Sequence, residues 1–275
     1  MEKGVGILVN FMSFFALNKA VYWVHKFFAT PRKGKLNKHH LPLFLQKATP
    51  SFFIYKNEKV YTYQWNSQAL DKPLLLLIHG WESNSARWEA LQTYLGSDFR
   101  YVAFDAPSLG QSYGRNLSVK NYQEVIDLAI EKFQPQGVIG HSLGAFTLFQ
   151  QLSEQIYPSV EKVVIMGVFD RFEIILSHYF KLLGYNKRLI KAYRYHIEQW
   201  IGKPLAVYCS SKALETVDIP VLCIHDIQDP QVFYQETVHF HQALQVKNNR
   251  VVSTTGLGHS LQDEGVFETI QAFFK

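Results

Sequence analysis

Residues 137–149 read Gly137-Val138-Ile139-Gly140-His141-Ser142-Leu143-Gly144-Ala145-Phe146-Thr147-Leu148-Phe149. A short apolar β-branched run, a Gly-x-Ser-x-Gly turn and a helix-forming run follow without a gap, which predicts strand, sharp turn and helix. A turn this tight forces its central Ser into a strained conformation. Side chains at the flanking positions would strike the neighbouring strand and helix, so Gly140 and Gly144 have a steric reason. Ser142 Oγ is then expected at the top of a sheet. The helix start beneath it, with the Leu143 amide pointing out, favours negative charge nearby.

Outward from this turn, the chain alternates short apolar runs with helix-length segments. Phe52–Tyr55 and Val60–Trp65, joined through Asn57-Glu58, read as an antiparallel hairpin. Pro73–Ile78 is a continuous apolar run, as expected of a strand buried on both faces. Further runs are Tyr101–Phe104, Gly137–Ile139, Lys162–Met166, Val221–Ile224 and Arg250–Ser253. The pattern predicts an α/β chain with a mostly parallel eight-stranded sheet and crossover helices. Between Phe169 and Val217 lie about fifty residues where one crossover helix would suffice. Their aromatics and bases at helical spacing predict an inserted helical lid over the carboxyl ends of the strands.

Four motifs, taken in order, resemble those of the α/β-hydrolase superfamily over residues 50–275. His79-Gly80-Trp81 is similar to the oxyanion loop after the third strand. Phe104-Asp105-Ala106-Pro107-Ser108-Leu109-Gly110-Gln111-Ser112 is similar to a structural turn after the fourth, with Leu109 where a small residue or His is common. Gly140 to Gly144 resembles the nucleophile elbow. His225-Asp226-Ile227-Gln228-Asp229-Pro230 and Gly256-Leu257-Gly258-His259 sit where the acid and the histidine follow the seventh and eighth strands. The resemblance implies a serine hydrolase acting on a carboxylic ester or thioester through an acyl-enzyme, without a cofactor. Ser142 would attack, His259 would relay the proton, Asp229 would orient His259, and the Trp81 and Leu143 amides would hold the oxyanion. Asp226 and Asp170 are the other candidates for the acid. The same triad also serves C–C or amide hydrolysis, acyl transfer and perhydrolysis, and a non-catalytic small-molecule receptor is a further alternative.

The other histidines read more plainly. His141 is expected as a packing or pocket-wall residue, and His39, His40 and His225 as surface or loop residues. His239 and His241, two apart, point in different directions on a helix, which argues against a metal site. Cys209 and Cys223 have no Cys-x-x-Cys partner, so no zinc site or disulfide framework is expected.

The 275 residues are 47% hydrophobic and 19% charged, which excludes a disordered chain. Charge is uneven: residues 1–60 hold ten Lys/Arg and two Asp/Glu, leaving 18 against 21 for the rest. Residues 171–203 hold seven Lys/Arg against Glu173 and Glu198. No nucleic-acid motif accompanies either stretch, so an anionic lipid or an acidic substrate group fits the bases better. Residues 1–49 are expected as an amphipathic helix and basic linker. The apolar core Val5–Leu17 is too short for a membrane span, and no cleavage site follows it. Val5, Val9, Met12, Ala16, Ala20, Trp23 and Phe27 form an apolar stripe opposite Lys3, Asn10, Asn18 and His25. Such a helix either packs on its own domain or lies in a membrane interface with Arg32, Lys33 and Lys35 near the headgroups. The expected compartment is the cytoplasm, with peripheral contact at the inner face of the membrane on the second reading.

Overall fold

The computed structural model describes residues 2–275, without the side chains of residues 2 and 3. Eight strands form one sheet: β1 (Thr49–Tyr55), β2 (Glu58–Trp65), β3 (Leu74–Ile78), β4 (Arg100–Phe104), β5 (Gly137–His141), β6 (Lys162–Met166), β7 (Val221–Asp226) and β8 (Arg250–Thr254). Their spatial order is β1-β2-β4-β3-β5-β6-β7-β8. The first two pairings, β1 with β2 and β2 with β4, are antiparallel, and the rest are parallel. The hairpin turns through Lys56 and Asn57, both at positive φ (47° and 63°), as a two-residue loop between twisted strands requires. Strand β3 is buried throughout, which explains its unbroken apolar character.

The helices in chain order are α1 (Glu2–Phe15), α2 (Leu17–Ala29), α3 (Leu43–Gln46), α4 (Glu89–Leu95), α5 (Val119–Phe133), α6 (Leu143–Glu154), α7 (Phe172–Leu183), α8 (Lys187–Ile201), α9 (Ser210–Ala213), α10 (Val238–Val246) and α11 (Glu264–Phe274). One face of the sheet packs with α5, α6 and α10, through Tyr122, Ile126, Phe149 and Phe240. The other packs with α4 and α11, through Leu91, Leu95, Phe267 and Ile270. The insertion between β6 and β7 is the helical stretch α7 to α9. Cys209 and Cys223 are both buried free thiols.

The N-terminal segment corrects the sequence reading in its continuity and in its polar stripe. It is two helices, broken at Ala16 (φ −145°, ψ 67°), where Ala gives no local signal for a break. Its apolar stripe faces inward, the first of the two placements the sequence left open. Val9 and Ala20 are buried, and Val5, Met12, Trp23 and Phe27 pack partly buried against the same core. Two residues expected outside are on the inner side. Asn10 Nδ2 donates to Gly184 O, and its Oδ1 accepts from Asn186 N, each at 2.8 Å. The His25 ring lies among His196, Trp200 and Tyr193. Asn18 is exposed as expected, and the side chain of Lys3 lies outside the described residues. Helix α1 thus packs on α7 and α8, and α2 on α8. No described helix is long and apolar enough to cross a membrane.

Candidate active site

Ser142 stands between β5 and α6 at φ 53° and ψ −123°, a positive φ that a non-glycine residue rarely adopts. The flanking glycines are there for space. A Cβ on Gly140 would come within 2.7 Å of Ala145 Cα, and one on Gly144 within 2.3 Å of His79 O. The turn can close only because both atoms are missing.

His259 approaches Ser142 from the loop after β8, in a short helical turn over Gly258–Ser260. Its Nε2 lies 2.9 Å from Ser142 Oγ and its Nδ1 2.7 Å from Asp229 Oδ2. A carboxylate only accepts, so Nδ1 carries the hydrogen and Nε2 is left to accept from the Ser142 hydroxyl. Burial works against the Asp229 carboxylate. Hydrogen bonds from His259 and from the Val232 and Gln231 amides outweigh it and hold the carboxyl below its ordinary range.

The other two carboxylates go elsewhere. Asp226 Oδ1 accepts from Gln228 N and so caps the turn, while Oδ2 accepts from Thr254 Oγ1 and Leu257 N. It thereby ties the end of β7 to the loop that carries His259. Asp170 Oδ1 accepts from Ser211 N and sits at the start of α9.

Trp81 and Leu143 line the cavity beside Ser142. Among the described residues, no acceptor takes the amide hydrogen of either. The backbone preceding Trp81 is pressed against the elbow, since a Cβ on Gly80 would meet Ser142 Cβ at 2.9 Å. His79 anchors this loop: its Nε2 accepts from Ala106 N at 2.9 Å, its Nδ1 bonds Gly80 O, and Tyr122 Oη donates to His79 O at 2.6 Å. Asp105 secures the neighbouring turn by accepting from Ser85, Tyr63 and the Gln111 amide.

His141 is buried, as the packing alternative has it, and does more: its Nε2 lies 2.8 Å from His259 O, where it donates across the elbow to the backbone of the histidine loop. His225 departs from the sequence reading and is no loop residue. It is fully buried at the end of β7, donates Nε2–H to Val232 O at 2.9 Å, and lies 3.6 Å from Asp229 Oδ2. Tyr122 and Arg87, whose Nη2 donates to Ser260 O, also support the site. None of these four carries a local pattern that would have marked it, because each acts on a segment remote in sequence.

The cavity above Ser142 and His259 has a volume of about 700 Å³. Phe169, Phe172 and Ile175 from the insertion, Phe27 and Phe28 from α2, and Val119 at the start of α5 make its wall largely apolar. Among the described residues, no group of three or more His, Cys, Asp or Glu is placed to hold a metal ion.

The profile of the alpha/beta hydrolase family matches residues 75–268. No curated relative matches the chain in sequence. Similar solved structures include an esterase of Pyrococcus furiosus, 18% identical, with a TM-score of 0.63 over 90% of this chain and 96% of that one. Est1E of Butyrivibrio proteoclasticus, solved with ferulic acid bound, is 17% identical with a TM-score of 0.64 over 82% and 97%. A thioesterase domain from the curacin biosynthetic pathway is 15% identical with a TM-score of 0.61 over 83% and 99%. At these identities the likeness shows the fold.

Proposed function

Because the chain belongs to the alpha/beta hydrolase family, we propose that it is a serine hydrolase that cleaves a carboxylic ester or thioester of an apolar acyl group. The observation that carries this reading is the unbroken relay Ser142 Oγ, His259 Nε2, His259 Nδ1, Asp229 Oδ2, at 2.9 and 2.7 Å, on the floor of an apolar cavity. Ser142 Oγ attacks the carbonyl carbon as its proton passes to His259 Nε2. The oxyanion that forms accepts from the Trp81 and Leu143 amides, and each such donor is worth on the order of 10²- to 10³-fold in rate. Collapse breaks the bond to the leaving oxygen or sulfur, which takes the proton from His259 and leaves an acyl-enzyme on Ser142. A water then gives its proton to His259, attacks the acyl carbon and releases the acid, and Ser142 recovers its proton. Asp229 stays ionised throughout and favours the imidazolium. The apolar wall suits an acyl chain better than a polar substrate.

A fluorophosphonate probe, together with acyl esters and thioesters of graded length, tests this. The wild type should be labelled and turn over esters, and Ser142→Ala should lose labelling and about 10³-fold or more of turnover. A folded wild type that binds acyl ligands, takes no label and hydrolyses nothing would make the chain a receptor instead.

A further inference from the structure

Helix α1 is apolar on the side that no part of the chain covers. Of the twenty large apolar side chains that are exposed among the described residues, five belong to this one helix. They are Ile7, Leu8, Phe11, Phe14 and Phe15, between 60% and 79% exposed. At 100° per residue they share an arc of about 120°, opposite Gly6, Val9 and Ser13 on the packed side. The helix is firmly seated. A Cβ on Gly6 would fall 1.7 Å from Leu183 O, Asn10 bonds both Gly184 and Asn186, and Ser13 Oγ accepts from Asn186 Nδ2. The outward face is therefore presented by a docked helix, and contiguous apolar patches of this kind mark interaction surfaces.

The charge around the patch identifies what it meets. No Asp or Glu occurs between Glu2 and Glu58, whereas Lys19, Lys26 and Lys33 follow α1 directly. The turn that α1 packs on adds Lys181, Lys187 and Arg188, all exposed. A second copy of the chain would bring these bases against their like, whereas an anionic lipid surface complements them. We propose that α1 docks the protein on an anionic phospholipid bilayer, with Ile7, Leu8, Phe11, Phe14 and Phe15 entering the boundary between headgroups and acyl chains and the lysines meeting the headgroups. The same corner reaches the cavity, for Phe27 and Phe28 of α2 and Lys181 to Leu183 of α7 line it. Resting on the hydrolase reading above, docking places that cavity where long-chain acyl lipids lie.

Sedimentation with vesicles of phosphatidylcholine and phosphatidylglycerol in equal parts tests the docking without turnover if the Ser142→Ala protein is used. It should bind these vesicles and bind pure phosphatidylcholine far less. Phe11→Ser with Phe15→Ser should lower the partition coefficient on the order of 10- to 100-fold, with thermal unfolding unchanged because both rings are exposed. Lys19→Glu with Lys26→Glu should lower it by about fivefold or more per base, an effect that vanishes at high salt. Leu70→Ser with Ile156→Ser, also exposed but remote in sequence, should leave it unchanged. Equal partitioning of the parent and the Phe11/Phe15 variant overturns the proposal. So does a dimer in sedimentation velocity that this variant splits while neither form binds vesicles, which would make a second copy the occupant. Vesicle binding by a wild type that hydrolyses nothing leaves the docking standing and removes only the hydrolase reading.

Discussion

The imidazole of His141, the residue before Ser142, is hydrogen-bonded to the main-chain carbonyl of His259 at 2.8 Å, with the two rings 4.8 Å apart. The turn thus carries Ser142 on one residue and fixes the backbone of His259 with the preceding one. Burial first, and then the charge of Arg87, hold the His141 imidazole well below its ordinary pKa, so it stays neutral while it donates. Replacing His141 with Ala should free the His259 loop and lower kcat by about 10- to 100-fold with little change in KM, since misplacement near 1 Å costs that much. Steady-state kinetics of His141→Ala beside His141→Gln, which restores a donor, check this: the glutamine variant should recover part of kcat.

The three carboxylates after the strands should separate sharply. Asp229→Asn keeps the shape but removes the charge facing His259, and should cost about 10³ to 10⁴ in kcat. Asp170→Asn should leave kcat nearly unchanged, because its carboxylate only receives the Ser211 amide. Asp226→Asn affects stability more than chemistry. Its Oδ1 and Oδ2 bind the Gln228 and Leu257 amides and Thr254, so unfolding should become easier by about 1–3 kcal/mol while most of kcat survives. Parallel urea titrations and turnover measurements read both effects. A kcat loss at Asp226 as large as that at Asp229 would contradict the division of roles.

Gly144→Ala probes the elbow by sterics alone. The added Cβ would stand 2.3 Å from His79 O and 2.8 Å from Ile78 O, backbone atoms that cannot swing aside. Overpacking of this kind costs about 1–3 kcal/mol. It should also push the His79-Gly80-Trp81 loop away from Ser142. Lower stability together with lost fluorophosphonate labelling is the expected pair of outcomes.

Acid should destabilise the fold through histidines that are buried neutral. Burial first, and the charge of His225 second, lower His241 to about 4, and neither of its ring nitrogens has a hydrogen-bond partner among the described residues. The unfolded chain takes up this proton below about pH 6.5 while the native state refuses it until about pH 4. Its contribution is therefore whole above pH 6.5 and is lost as pH falls through that window, at up to about 1.4 kcal/mol per pH unit. His79, His141 and His225, lowered in the same direction, steepen the wild-type curve. Chemical unfolding of His241→Phe between pH 4 and 7 should show a slope smaller by about one proton, and identical slopes would place the titration elsewhere.

All eight strands were legible in the sequence, because what makes them strands is local. Burial on both faces writes an unbroken apolar run at Leu74–Ile78, and a two-residue turn needs residues that tolerate positive φ, as at Asn57. The elbow was legible for the same reason: the bulk of one Cβ at Gly140 or Gly144 decides whether the turn closes. The resemblance pointed to Asp229, but only the tertiary structure brings its carboxylate to His259 while that of Asp226, three residues earlier at the end of β7, binds Thr254 and the Leu257 amide instead. The partners of His141 and Ser142 lie 118 and 117 residues away, beyond any local pattern. The N-terminal helix shows the limit most directly. The stripe through Val5, Val9 and Met12 marks the inner face of α1, but apolar side chains around most of its circumference leave a second apolar face that the sequence did not assign. Asn10 and Ser13 turned inward because the turn between α7 and α8 at Gly184 and Asn186 offered polar groups for them to bind. The phenylalanines that a soluble core would have claimed were left outside.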